Sequence, residues 1–206
     1  MPKETFFNLP EEKRQQILNV AIDEFATNTY AQASVNRIVE KAGIAKGSFY
    51  QYFKSKKDLF LYLMQVIGEE KMTYLAPTLQ NIHQYDFFTC LREIYAAGIR
   101  FATQYPKYAE IGKKLLASKD TPIFEELVDQ NLPVASQLFQ ELLHQAIQRG
   151  EIRPDIDINL IAYLIASINT TLLEYYTENI NQEFDEKILN TVEKFIDLLR
   201  NGIGTK

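Results

Sequence analysis

Apolar residues recur along the chain at the three- and four-residue spacing of helices, and strand-like alternation is nearly absent. Ile17, Leu18, Ala21, Ile22 and Phe25 form one stripe, which predicts a helix over 10–26 with Pro10 at its first position. A loop follows over 28–33. Ser34 then stands where an N-cap belongs, before a short helix with Val35, Ile38, Val39 and Ala42 inward and Gly43 as its stop. A second short helix, 45–53, carries Phe49 and Phe53 one turn apart. Ser55 caps the next, which turns Leu59, Leu63, Val66 and Ile67 inward and is expected to end near Pro77. Further helices are predicted at 86–105, 108–118, 122–149, 157–179 and 185–201, with Pro106, Pro122, Gly150 and Pro154 as breaks. The pattern gives an all-α fold of about nine helices: a three-helix domain over 1–54 and a larger helical domain over 55–206.

Composition narrows the class. The apolar fraction is 46% and the charged fraction 24%, as in an ordinary folded domain. Cys90 is the only cysteine, so an internal disulfide and a Cys-rich metal site are excluded, which suits a cytoplasmic protein. The N-terminal stretch has no apolar core of a secretory signal. The most apolar run, 158–173, is broken by Asn159, Ser167, Asn169, Thr170 and Thr171, and reads as a buried helix with no membrane partner. The net charge of −5 hides an asymmetry, because residues 1–57 carry nine Lys and Arg against six Asp and Glu. Within 31–57 the balance is six basic residues against Glu40 alone. A basic module on an acidic body can bind phosphate locally, since salt screens charges beyond roughly 8–10 Å.

The stretch from Ser34 to Lys57 has the layout of a helix-turn-helix: a short amphipathic helix, a turn with Gly43, and a second short helix. With Phe49 and Phe53 inward, Lys46, Ser48, Tyr50 and Gln51 fall on or near the outer surface. That arrangement brings polar and basic side chains to a major-groove edge, with Lys54, Lys56 and Lys57 near flanking phosphates.

Ordered matches extend well beyond this layout. Phe25, Tyr30, Ser34-Val35, Ile38, Ala42-Gly43-Ile44, Lys46-Gly47-Ser48-Phe49-Tyr50, Phe53 and Ser55-Lys56-Lys57-Asp58-Leu59 resemble the DNA-binding domain of the tetracycline-repressor (TetR) family of bacterial regulators. The resemblance covers roughly a quarter of the chain. It implies phosphate contacts from the Ser34 and Tyr50 hydroxyls and the Lys56 ammonium, and base reading around Lys46, Ser48 and Gln51. It also implies close approach of DNA at Gly47. Three positions depart from the family's pattern. Thr29 replaces Gly before the aromatic, Ala45 replaces the Ser or Thr that caps the recognition helix, and Tyr52 takes the place of a His at the end of the motif.

The larger domain is less specific. Phe101, Tyr105, Tyr108, Ile111 and Phe124, with the polar Asn169, Thr170 and Glu174, are candidates to line an effector cavity, although each also suits ordinary core or surface. Gly98, inside a predicted helix, makes room for either a ligand or a crossing helix. Leu164, Ile168, Thr171 and Tyr175 on one helix and Val192 and Phe195 on the next are candidates for a homodimer interface, and the resemblance implies a four-helix bundle there. His83 and His144 are isolated, and no metal, cofactor or catalytic constellation is legible. The reading is a dimeric, non-enzymatic regulator released from a palindromic operator by a small, largely apolar or aromatic effector. An architectural DNA-binding protein or an activator is the alternative; an enzyme or carrier that kept the fold is a third class.

Overall fold

The computed structural model describes residues 1–181 and 187–205, and the backbone alone of residues 169 and 170. Ten α-helices and no strand lie among the described residues. They are α1 (Glu4–Phe7), α2 (Glu11–Thr27), α3 (Val35–Lys41), α4 (Lys46–Tyr52), α5 (Lys56–Gln80), α6 (Phe87–Gln104), α7 (Pro106–Leu116), α8 (Pro122–Gln148), α9 (Ile158–Asn179) and α10 (Ile188–Ile203). The all-α expectation is met, and most boundaries fall within two residues of those read from periodicity.

The differences have physical causes. The first helix, α1, has too few residues for a periodic signal. Pro77 does not end α5, which runs on to Gln80. Its missing N–H forgoes one bond close to the helix end, and the Asn81 amide and side chain both donate to the Pro77 carbonyl. Pro106 sits in the first turn of α7, starting that helix two residues earlier than predicted. The expected start of the last helix near 185 lies outside the described residues.

The chain forms two compact units, one of 1–71 with 105–125, the other of 72–104 with 126 onward. In the first, α2 presents Ile17, Leu18, Ala21, Ile22 and Phe25, all buried as the stripe requires, and α7 packs along it through the buried Ile111. Ile38, Phe49, Phe53, Leu59 and Leu63 complete that core with no exposed surface. Aromatic rings tie it together: Phe25 to Phe60 at 4.8 Å and Phe6 to Phe53 at 4.9 Å between centroids. Burying a residue of this size contributes about 1.5–3 kcal/mol.

The second unit is built on a cluster including Phe87, Leu91, Leu142, Leu143, Ile165, Val192 and Ile196, drawn from α6, α8, α9 and α10. The C-terminal residues close it, with Arg153 N–H on the Ile203 carbonyl at 3.0 Å and Thr205 N–H on that of Glu151 at 3.1 Å.

Candidate nucleic-acid interface

The helix-turn-helix expected from sequence is formed by α3, the turn at Gly43 and α4. The Ser34 hydroxyl caps α3 by accepting from Arg37 N–H at 3.5 Å. Gly43 takes φ +59°, the left-handed conformation that only glycine adopts at little cost. Lys13 reaches from α2 to the Ala42 carbonyl at 3.0 Å, satisfying the end of α3. Ala45 stands at the N-cap of α4 with no side-chain hydrogen bond, as its departure from the family pattern implied.

Behind the motif lies a charge cluster, buried at Glu24 and open at Arg37, that periodicity cannot reveal. Glu24 is 2% exposed, and its carboxylate accepts the Ser34 N–H at 2.8 Å and the Arg37 guanidinium at 2.5 and 3.0 Å. Burial pushes the carboxyl upward. The hydrogen bonds from Arg37 and Ser34, with the charges of Arg37 and Lys41, outweigh it and hold Glu24 below its ordinary value.

The candidate DNA residues divide. Lys46, Gly47 and Gln51 are exposed, Tyr50 is 45% exposed, and Ser48 is half-buried on the same short helix. Phe49 faces inward beneath them, its ring edge-on to Tyr50 at 5.2 Å. Nothing lies within 4 Å of where a β-carbon at Gly47 would stand, so no packing inside the subunit requires glycine there. Ser34 and Tyr52 are half-buried.

Lys56, expected at a phosphate, is engaged within the subunit. Its ammonium donates to the carbonyls of Tyr30, Ala31 and Ala33 at 2.7, 3.2 and 2.9 Å and lies 4.7 Å from the Tyr30 ring centre. With all three hydrogens engaged, this side chain holds the loop ahead of α3. Burial pushes its pKa down, only partly offset by the charge of Glu24.

Of the candidate effector residues, Tyr105, Tyr108, Ile111 and Phe124 belong to the first unit, and Phe101 and Glu174 to the second. The Tyr105 and Tyr108 rings stack at 5.1 Å, and the Tyr105 hydroxyl donates to Glu70 at 2.8 Å. Phe101 is buried edge-on to Tyr74 at 5.6 Å. The side chains of Asn169 and Thr170 lie outside those described. In the second unit the Tyr95 hydroxyl, unremarked in the sequence, is buried without a hydrogen-bond partner among the described residues. One turn on, no atom of the described residues lies within 4 Å of where a β-carbon at Gly98 would stand.

Leu164, Thr171 and Tyr175 of α9 are exposed and Ile168 is half-buried. Val192 and Phe195 are buried in the second unit's core, at 1% and 8% exposure, so the α10 stripe packs within the subunit. Cys90 is buried too, which pushes its thiol up to about 11 and leaves no thiolate at neutral pH. Among the described residues no group of three potential metal ligands occurs, and no helix is long and apolar enough to cross a membrane.

The model of the tetR family of bacterial regulatory proteins matches residues 17–63, the span of the buried cluster, the turn and α4. A TetR family transcriptional regulator from Chloroflexus aurantiacus shares the fold with a TM-score of 0.68 and 34% identity, covering 100% of both chains. The fatty acid metabolism regulator protein of Bacillus subtilis is 24% identical over 94% of this chain and 97% of its own. The regulator FadR of the same species, in complex with stearoyl-CoA, matches in fold with a TM-score of 0.71 at 21% identity, over 92% of this chain and 98% of that one. With helix-turn-helix, buried cluster and helical body in place over the full length of a relative, the chain belongs to the TetR family of bacterial transcriptional regulators.

Proposed function

We propose that this regulator is a homodimeric repressor that leaves a palindromic operator when a small, largely apolar effector binds. Residues 1–54 read DNA and residues 55–206 dimerise and respond. The observation that carries the DNA reading is the outer face of α4: Lys46, Tyr50 and Gln51 are exposed beside a glycine that the subunit does not need. Glycine inside a helix costs about 1 kcal/mol relative to alanine. A close-lying DNA backbone supplies the reason to keep it.

One recognition helix reads only a few base pairs, so two copies on two half-sites are required for specificity. The face we assign to the partner copy is on α9, where Leu160, Tyr163, Leu164 and Tyr175 are each about half exposed, in line with Thr171. Large apolar side chains repeated on one helix face mark an interaction surface. Sedimentation at micromolar concentration is expected to give a dimer, and Leu164→Asp a monomer with weakened DNA binding.

For the effector, the space beside Gly98 and the Tyr95 hydroxyl, both without a neighbour or partner among the described residues, support a ligand with an apolar body and one polar group. Likeness to the fatty acid regulators makes acyl-CoA the first class to test. Operator binding is measured at fixed salt with and without saturating stearoyl-CoA; release supports the reading, and equal binding removes that ligand as the effector.

A further inference from the structure

A helix leaves its last four carbonyls without partners inside the helix, and one of two turns has little else to hold its ends. In α4 the last three carbonyls are all met from the N-terminal residues. The Tyr50 carbonyl accepts the Lys3 ammonium at 2.7 Å, that of Gln51 accepts the Thr5 hydroxyl, and that of Tyr52 accepts the Lys3 backbone N–H at 2.8 Å. Phe6, with no exposed surface, lies beneath the same end, 4.9 Å from the Phe53 ring and 6.2 Å from that of Tyr52. Arg14 donates to the Phe7 carbonyl at 2.6 Å and so fixes the far end of α1 to α2. The Lys3 charge also faces the negative end of the α4 dipole.

At the opposite end of α4 the N-cap residue, Ala45, offers no side-chain acceptor to the first N–H groups. Two of the three departures from the family pattern, Ala45 and Tyr52, thus fall at the two ends of α4.

We propose that residues 3–6 are a positioning element for DNA recognition, holding α4 at its C-terminal end in place of the N-terminal cap that Ala45 lacks. They set where Lys46, Tyr50 and Gln51 meet the base pairs. This rests on the reading of α4 as the DNA-reading helix. One hydrogen of the Lys3 ammonium is held by the Tyr50 carbonyl, so its effect is assigned to α4, and the salt dependence of binding separates that from a phosphate contact.

The probe is the duplex that the full-length protein selects from a random-sequence pool. Lys3→Met with Thr5→Val is expected to bind it about tenfold more weakly, with less loss on an unrelated duplex. The salt dependence of binding keeps the wild-type slope, since no phosphate contact is removed. Thr5→Ser retains affinity, and adding Ala45→Ser to the double variant restores most of it by capping the other end. If the double variant does not fold, Thr5→Val alone carries the same signs at a smaller size. Wild-type affinity in the variants overturns the proposal. So does a loss that comes with a shallower salt slope and no rescue by Ala45→Ser, which makes Lys3 a direct phosphate contact. A wild-type protein that selects no duplex overturns the DNA reading itself, and the positioning role with it.

Discussion

The Arg37 guanidinium closes on the buried Glu24 carboxylate at 2.5 Å, tying the start of α3 to the end of α2. The carboxylate also takes the Ser34 N–H, so Glu24→Gln disturbs the cap of α3 along with the ion pair. Loss of a buried hydrogen-bonded acceptor is expected to cost about 1–3 kcal/mol at pH 7. Because Glu24 is held below the 4.5 of an unperturbed glutamate, its contribution is complete above that pH and is lost as pH falls through the lowered value. Thermal melts of wild type and Glu24→Gln from pH 7 to pH 3 are expected to converge on the acid side. A constant gap would assign the stabilisation elsewhere.

Lys56 offers a separation between loop support and phosphate contact. Removing a phosphate contact lowers the salt slope of DNA binding by about 1. Lys56→Met instead frees the carbonyls of Tyr30, Ala31 and Ala33, so affinity is expected to fall with the slope unchanged. Titrations at several salt concentrations read both quantities.

Gly47→Ala is expected to move stability and binding in opposite directions. The space for a methyl group is open within the subunit, and alanine favours the helix by about 1 kcal/mol. The melting temperature rises while affinity for operator falls at least tenfold, because the methyl meets the DNA backbone. A variant that gains stability and keeps affinity would place the DNA elsewhere.

Tyr95→Phe removes a hydroxyl that is buried with no partner among the described residues. Burial has pushed its pKa up, with no charged neighbour contributing. The ligand-free protein is expected to gain about 1 kcal/mol in a denaturant titration. Effector response weakens in the same variant if the hydroxyl anchors the ligand.

What the sequence made legible was what periodicity and turn chemistry encode. The stripe on α2, the inward Phe49 and Phe53, the Ser34 cap and the positive φ at Gly43 each follow from local rules. The Lys3, Thr5 and Phe6 clamp did not, because it joins residues more than forty positions apart and α1 is too short to register as a helix. The pair Phe6-Phe7 just ahead of the first amphipathic helix was its one available signal. Lys56 was assigned by charge and resemblance, neither of which shows that three carbonyls already occupy its ammonium. An apolar stripe such as that of Val192 and Phe195 looks the same in sequence whether it faces the subunit's own core or a second copy.

The most direct test of the account is selection of bound fragments from a random-sequence duplex pool by the full-length protein at near-physiological salt. A short palindromic site is expected, bound at least about 10³-fold more tightly than bulk DNA and lost when Lys46 and Tyr50 are both replaced by alanine. Diffuse enrichment that is insensitive to those two replacements would contradict it.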